Sequence, residues 1–172
     1  IQKKYRLLKK DATVVELGAA PGGWSAVIIE AIGERGKLIC VDQQPLKIAA
    51  PKNLQFIKDD FTREAFADDI VDVLTKGSGS VDVLLSDAAP STSGIGFRDA
   101  ALSAQLCRVA LGLCDNLLKP GGCFLAKVFA GDEQEFVAEC KATFASVKRL
   151  KPDASKRESR EFYLLCTDFR HD

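Results

Sequence analysis

Apolar residues along this chain fall into short blocks of two kinds, and each kind predicts a different element. Compact runs of Val, Ile, Leu and Phe bounded by Gly, Pro or Asp are typical of β-strands. The predicted strands are Thr13–Gly18, Lys37–Asp42, Leu54–Lys58, Val81–Asp87, Cys123–Phe129, Ser146–Lys151 and Glu161–Thr167. Longer segments with helical spacing lie between several of them, and the predicted helices are Trp24–Gly33, Thr62–Leu74, Asp99–Leu118 and Asp132–Phe144. Strands that alternate with helices indicate an α/β fold around a mostly parallel sheet.

Individual residues refine the ends of these elements and the strand directions. Thr62 is expected to cap its helix through the hydroxyl group. Lys119–Gly122 is expected to be the turn that ends the long helix, because proline and glycine interrupt helices. The loop Pro152–Arg160 is too short for a helical crossover, so the last two strands should be antiparallel. We therefore predict six parallel strands and one reversed strand, with ligands bound beyond the carboxyl ends of the strands.

Length and composition bound the class of protein. The chain has 172 residues, of which 47% are hydrophobic and 28% charged, so we predict one globular domain spanning residues 1–172. Apolar runs such as Val81–Leu85 are too short to cross a bilayer, and no charged-then-apolar secretory leader opens the chain. Because the chain opens on Ile1 and contains no Met, we expect it to be a processed or trimmed form with a segment upstream.

The charges balance overall but are unevenly distributed. Lys and Arg number 24, and so do Asp and Glu. Residues 1–11 carry five basic side chains against one acidic, and residues 141–161 carry seven against three. Two basic segments on an otherwise acidic body indicate a localised anion-binding face. Solvated surface charge is the alternative interpretation.

The cysteines favour a reducing compartment. None of the six forms a C-x-x-C pair, and most lie in apolar stretches, where cysteine behaves as a small core residue. His171 is the single histidine, which leaves no zinc-ligand set. We predict reduced thiols, an intracellular protein and no metal.

The glycine-rich turn Gly18–Gly23 after the first strand predicts a ligand held close to the backbone. Alanine at position 20 departs from G-x-G-x-x-G and disfavours a dinucleotide, and no Lys-Ser or Lys-Thr follows to make a Walker A loop. Asp42, at the end of the second strand, can accept hydrogen bonds from ribose hydroxyls, and Asp60 can reach an adenine amino group. These pieces suit a nucleoside without pyrophosphate. Trp24, at the helix start, is more often a packing residue than a ligand contact.

Lys127 stands inside an otherwise apolar strand, CFLAKVF. Lysine is almost never fully buried unless it is paired. Asp87, at the end of the fourth strand, and Glu161, at the start of the seventh, are the candidate partners. Such a cluster costs stability, so it indicates function. A lysine at a strand end with its amine in solvent is the structural alternative.

Together, GAAPGGW, LLSDAAP, LKPGGCFLAKVF and KPDASKRESREFY resemble the FtsJ-type (RrmJ-like) ribose 2′-O-methyltransferases, and the similarity spans Ile1 to about Asp168. The resemblance implies a Rossmann-like class I methyltransferase fold with helices on both faces of the sheet. It implies S-adenosylmethionine as methyl donor and RNA as substrate, namely a uridine 2′-hydroxyl of large-subunit ribosomal RNA. Cofactor-binding positions of the family fall on Gly18, Ala19, Pro21, Gly23, Trp24, Asp42, Asp60 and Asp87.

The resemblance also implies catalytic roles. Of the family's Lys-Asp-Lys-Glu set, three members fall on Asp87, Lys127 and Glu161, and the first lysine falls a few residues before Ile1. Lys127 would orient the ribose hydroxyl and either stabilise its developing charge or accept its proton, while the two acids hold the lysine in place. Phosphate contacts are expected from residues of the two basic segments, Lys3, Lys4, Arg6, Lys151, Lys156, Arg157 and Arg160.

Several alternatives stay open at this point. An NAD-dependent oxidoreductase is disfavoured by the glycine pattern, and a non-catalytic RNA-binding assembly factor is supported only by the missing upstream lysine. Some family relatives act on tRNA. We expect a monomer that works on ribosomal RNA within a large-subunit particle. GFRD at Gly96–Asp99 is similar to the mitochondrial branch, so mitochondrion and cytoplasm are both candidate locations.

Overall fold

The computed structural model describes residues 1–75, 80–90, 95–151 and 160–170. The helices are α1 (Gln2–Tyr5), α2 (Gly23–Ile32), α3 (Phe66–Thr75), α4 (Gly96–Leu117) and α5 (Gln134–Thr143). The strands are β1 (Thr13–Leu17), β2 (Lys37–Asp42), β3 (Leu54–Lys58), β4 (Val81–Ser86), β5 (Leu118–Phe129), β6 (Phe144–Leu150) and β7 (Glu161–Phe169).

The strands form one seven-stranded sheet in the order β3-β2-β1-β4-β5-β7-β6. The five strands β1 to β5 pair with their neighbours in parallel. Strand β7 is antiparallel to both of its neighbours, β5 and β6. The predicted α/β fold, with a mostly parallel sheet and a single reversed strand, is confirmed. From β1 the chain adds β2 and β3 on one side of the sheet and then β4 and β5 on the other, so the topological switch point lies between β1 and β4. The carboxyl ends of these two strands lie at the edge where α/β folds bind ligands.

Both faces of the sheet are covered, as the near-continuous apolar strands require. One face packs against α3, α4 and α5 through buried side chains such as Phe66, Phe124 and Phe136. The other packs against α2 and the residues after α1, through Ile28, Ile32 and their neighbours. Each fully buried side chain of this size contributes roughly 2 kcal/mol. In the described ranges, no helix is both long and apolar enough to cross a membrane.

The prediction that Thr62 caps a helix is wrong. The helix α3 begins at Phe66. The carboxylate of Asp60 accepts hydrogen bonds from the amide of Thr62 at 2.9 Å and from its hydroxyl at 2.7 Å. Thr62 is therefore part of an Asx turn closed by Asp60, and its hydroxyl is not free to cap a helix.

The turn predicted at Lys119–Gly122 is also wrong, because these residues belong to β5. Strand β5 starts at Leu118, directly after α4, and its pairing with β4 shifts register where Val81 faces Leu118 and Val83 faces Cys123. The proline and glycines thus form an irregularity within the strand, a role that sequence alone does not separate from a turn.

Candidate active site at the carboxyl edge of the sheet

A cleft of about 560 Å³ opens where β1, β2, β4 and β5 end. Five of the predicted site residues line the cleft, namely Gly18, Asp42, Asp60, Asp87 and Lys127. The other lining residues are Ala20, Gln43, Gln44, Asp59, Phe61, Thr62, Ala88, Ala89 and Leu106. Its volume lies in the range of pockets that hold small ligands. The topology thus joins residues that are far apart in the chain into one polar-rimmed pocket.

Gly18 sets how closely the ends of β1 and β4 approach each other. Its φ is +71°, and a Cβ atom at this position would lie 2.7 Å from the backbone nitrogen and Cα of Ala88. A side chain here would meet both backbone strain and a clash that cannot relax. The glycine is therefore required by the local structure at the floor of the cleft.

Asp42 holds the two loops that flank the cleft. One carboxylate oxygen accepts the backbone N–H of Ala20 at 2.9 Å, and the other accepts that of Gln44 at 2.8 Å. Each oxygen keeps a further lone pair, so the carboxylate can still accept hydrogen bonds from a ligand. Asp42, the predicted acceptor for ribose hydroxyls, therefore also stabilises the loop after β1.

Four of the predicted cofactor positions lie outside the set of cleft-lining residues. Ala19 is buried, whereas Pro21 and Gly23 are exposed. The indole of Trp24 packs on the ring of Tyr163 at a centroid distance of 5.4 Å. Both rings line a second, mainly apolar cavity of about 300 Å³ beside α1 and α2.

The Lys127 ammonium lies 3.1 Å from Asp87 Oδ1, with the two side chains 13% and 28% exposed. Asp87 is anchored by its backbone N–H, which donates to the carbonyl of Leu17 at 3.0 Å. Burial raises the pKa of Asp87, and the Lys127 charge counters that effect. The predicted pairing of an intrastrand lysine with the acid at the end of the fourth strand is present in the structure.

Glu161 begins β7 opposite Phe129, and Tyr163 lies opposite Lys127. Because side chains alternate along a strand, Glu161, Tyr163 and Lys127 share one face of the sheet. The negative charge of Glu161 raises the pKa of Asp87, so its carboxyl group is part of the same electrostatic cluster.

Tyr163 is a site residue that the sequence reasoning missed. Its hydroxyl donates a hydrogen bond to Asp87, and burial, with the charges of Asp87 and Glu161, raises the pKa of the phenol. The phenol is therefore a stable hydrogen-bond donor. Tyr163 lies two residues after Glu161 in a predicted strand and so shares its face, and this spacing was the available signal.

The predicted phosphate-binding residues have different settings. Lys3, Lys4 and Arg6 are exposed on and after α1, and Lys151 is exposed after β6. Arg160 directly precedes Glu161, and its guanidinium lies against Gly96 at the start of α4, where a Cβ atom would clash with it. Lys156 and Arg157 lie outside the described residues.

The residues of the cleft fit a nucleoside-bearing sulfonium such as S-adenosylmethionine. Carboxylates of Asp42 and Asp60 offer acceptors to hydroxyl and amino groups. Asp87 Oδ1 is buried and, among the described residues, has no hydrogen bond in good geometry besides the Lys127 ion pair. In the described part of the chain, no group of three or more His, Cys, Asp or Glu side chains could hold a metal ion. Sheet order and cleft position define a Rossmann-like methyltransferase.

Comparison with known proteins narrows this class. The FtsJ-like methyltransferase model matches residues 1–169. The chain is 39% identical over 171 residues to ribosomal RNA large subunit methyltransferase E of Pseudomonas fluorescens, covering 99% of this chain and 80% of that protein. The chain belongs to the FtsJ-like methyltransferase family, and it is an S-adenosylmethionine-dependent methyltransferase.

Solved structures share the fold. A ribosomal RNA methyltransferase from Plasmodium falciparum superposes with a TM-score of 0.85 at 24% identity, over 99% of this chain and 93% of that one. Human methyltransferase-like protein 13, in complex with SAH, gives a TM-score of 0.61 at 15% identity, over 94% of this chain and 77% of that one. The fold and family expected from the sequence motifs are confirmed.

Proposed function

We propose that this enzyme transfers a methyl group from S-adenosylmethionine to a ribose 2′-hydroxyl of RNA, with a uridine of large-subunit ribosomal RNA as the target. The observation that carries the proposal is the Lys127–Asp87 ion pair of 3.1 Å at the rim of the cofactor cleft. A ribose hydroxyl is a weak nucleophile, so its proton must leave around the time that the methyl group moves. An amine held at a defined position beside the cleft supplies that function.

The sulfonium cofactor supplies an electrophilic methyl group. For this role the Lys127 ammonium must first release a proton to solvent; the amine would then accept the hydroxyl proton as the ribose oxygen takes the methyl group. The products are 2′-O-methylribose and S-adenosylhomocysteine, and the proton resides on Nζ. Asp87 and Glu161 stabilise the resulting ammonium, and Tyr163 holds Asp87 in place. The enzyme contributes mainly alignment and charge stabilisation.

The RNA assignment is supported by the name of the Pseudomonas relative and by the basic residues near the site. Arg160 directly precedes Glu161 and is exposed, so its guanidinium is available to a phosphate beside the reacting ribose. Lysines and arginines that neutralise phosphates release counterions, so affinity falls with salt. Weakened RNA binding with an unchanged salt slope in Arg160→Ala would contradict a phosphate contact at this residue.

The decisive experiment compares Lys127→Ala with Lys141→Ala, an exposed lysine on α5 as matched control. Methyl transfer is followed with labelled cofactor on ribosomal RNA, isolated large subunits and bulk tRNA, using any residues that precede Ile1 in the natural chain. We expect Lys127→Ala to lose activity at least 100-fold while it binds S-adenosylhomocysteine within about threefold of the unmodified protein. Full activity in this variant, or methylation confined to tRNA or to a base, would overturn the proposal.

The cellular location is proposed from the thiols. The described cysteines are all unpaired, and five of the six are buried. A chain with this many thiols and no disulfide suits a reducing compartment, and we propose the mitochondrion or the cytoplasm. Imaging of the tagged natural protein with a mitochondrial marker separates the two, and secretion would contradict both.

A further inference from the structure

The first turns of α4 project past the carboxyl end of β5. Cys107 Sγ lies 3.2 Å from the carbonyl oxygen of Lys127, and Ser103 Oγ accepts the backbone N–H of Phe129 at 3.1 Å. The helix therefore runs antiparallel to the end of the strand and begins, at Gly96, two further turns away. At about 1.5 Å per residue, the start of α4 extends roughly 10 Å beyond the last residue of β5.

Arg160, directly before β7, reaches the same place. Its carbonyl accepts the backbone N–H of Ala130 at 2.9 Å, and a Cβ atom at Gly96 would lie 2.8 Å from its Cζ atom. Because successive residues of an extended chain point to opposite sides, Arg160 extends over the start of α4, while Glu161 stays on the face of Lys127. Ala130 follows Lys127 by three residues, so the guanidinium lies roughly 10 Å along the strand from the amine.

An exposed aromatic ring stands beside this guanidinium. Among the described residues, three large hydrophobic side chains are at least half exposed, and two of them, Ile95 at 60% and Phe97 at 73%, flank Gly96. Arg98, the next residue, is exposed as well. None of the salt bridges found in the described part of the chain includes Arg98 or Arg160. The start of α4 therefore presents an aromatic face together with two cations that are free to pair with an anion.

This combination fits a nucleotide better than a protein. Single-stranded nucleic acids bind where bases stack on aromatic side chains and phosphates meet cations. Stable protein interfaces bury about 800 Å² on each partner, far more than the side chains of Ile95 and Phe97 can provide. The position beside Glu161 adds a second reason, because a strand whose ribose reaches Lys127 must pass over this edge of the sheet.

We propose that Phe97, with Arg98 and Arg160, holds a nucleotide adjacent to the methylated ribose: its base stacks on the Phe97 ring and its phosphate pairs with the guanidinium groups. The inference rests on the proposed function, since it takes RNA as the acceptor, and it adds which residues position the strand. Every base has a π face, so this contact holds the strand in place without selecting the base. The adjacent nucleotide must be unpaired when it binds, because a paired base has no face free for the ring.

The test measures binding of a short oligouridine by fluorescence anisotropy and the KM for ribosomal RNA in methyl-transfer assays. We expect Phe97→Ala to weaken both roughly 5- to 50-fold, while kcat at saturating RNA stays within about twofold, because the ring binds RNA without touching the reacting atoms. Phe97→Trp should retain the affinity of the unmodified protein. Phe97→Leu keeps an apolar side chain but has no π face, so it should resemble Phe97→Ala.

The salt dependence separates stacking from charge. Phe97→Ala should leave the slope of log affinity against log salt unchanged, whereas Arg98→Ala should make it shallower by about 0.7, the value for one phosphate contact on a single strand. Val27→Ala, which trims the third exposed hydrophobic side chain, on α2, is the matched control and should bind RNA as the unmodified protein does. All variants should keep their affinity for S-adenosylhomocysteine and their urea denaturation midpoint, because these side chains are exposed.

The outcomes distinguish this inference from the function on which it rests. Unchanged oligouridine affinity and KM in Phe97→Ala, or full affinity in Phe97→Leu, would overturn the stacking contact while methyl transfer to RNA stands. A Phe97→Ala variant that loses only self-association or binding to a ribosomal protein would assign this surface to a protein and overturn the inference as well. Failure of the unmodified protein to methylate any RNA would instead overturn the proposed function, and this inference with it.

Discussion

Lys127 Nζ and Asp87 Oδ1 lie 3.1 Å apart across neighbouring strands, with the lysine side chain 13% exposed. This ion pair joins the cofactor cleft to the cluster formed with Glu161 and Tyr163. Because the amine is half of a mostly buried pair, removal of either partner leaves the other in an unfavourable environment. Reactivity and stability are therefore coupled at this edge of the sheet.

Asp87→Asn should reduce methyl transfer roughly 100-fold, because the amide cannot stabilise the ammonium that forms on Lys127. It should also weaken cofactor binding, since Asp87 lines the cleft. Single-turnover assays at saturating cofactor separate these two effects. An unchanged single-turnover rate would show that Asp87 serves binding alone.

Tyr163→Phe should lower the rate about 5- to 20-fold and the free energy of unfolding by roughly 1 kcal/mol, because it removes one hydrogen bond to Asp87. The phenyl ring retains the contact with Trp24. Tyr163→Leu removes both interactions and should cost about 2 kcal/mol or more in urea denaturation. Equal effects of the two substitutions on the rate would show that Tyr163 supports methyl transfer through its hydroxyl alone.

Gly18→Ala should abolish cofactor binding and destabilise the protein by roughly 2–4 kcal/mol, since the methyl group would lie 2.7 Å from the backbone of Ala88 at a φ of +71°. Gly112→Ala is the matched control. Gly112 lies on α4, and a Cβ atom there has nothing within 4 Å. Helix propensity should make that variant up to about 1 kcal/mol more stable in thermal or urea denaturation. Similar stability of the two variants would contradict the close approach at Gly18.

The stability of the ligand-free protein should depend on pH through Glu16. Its pKa is about 7 in the folded state and near the ordinary value of 4.5 in the unfolded state. Between these values the folded protein binds the additional proton, so this contribution to stability is complete below pH 4.5 and is lost as the pH rises through 7. Relative to Glu16→Gln, the loss is on the order of 3 kcal/mol. Denaturation of both proteins from pH 5 to pH 8.5 measures it, and a constant difference would contradict the shift.

Much of the fold is readable from the chain because strand patterns are local. The ranges Lys37–Asp42 and Leu54–Lys58 are confirmed residue for residue, since both are short apolar runs with clear boundaries. The antiparallel pairing of β6 and β7 followed from the length of one loop. The ends of helices and strands were harder to predict from the sequence. Thr62 is bonded to Asp60, and Lys119–Gly122 continues a strand, because each residue type suits more than one backbone role.

By itself, the sequence determined the strand–helix order, the family motifs and the identity of Lys127, Asp87 and Glu161 as a set worth testing. The tertiary structure decided which groups meet. In the folded protein Trp24 packs on Tyr163, and the Tyr163 hydroxyl lies against Asp87. Glu16 is buried beside Ser25 and Cys40. These contacts join separate elements, and their distances depend on how the sheet twists and how the helices pack against it. Periodicity along a chain reports which side of an element is buried, whereas packing across elements sets the neighbours of each side chain.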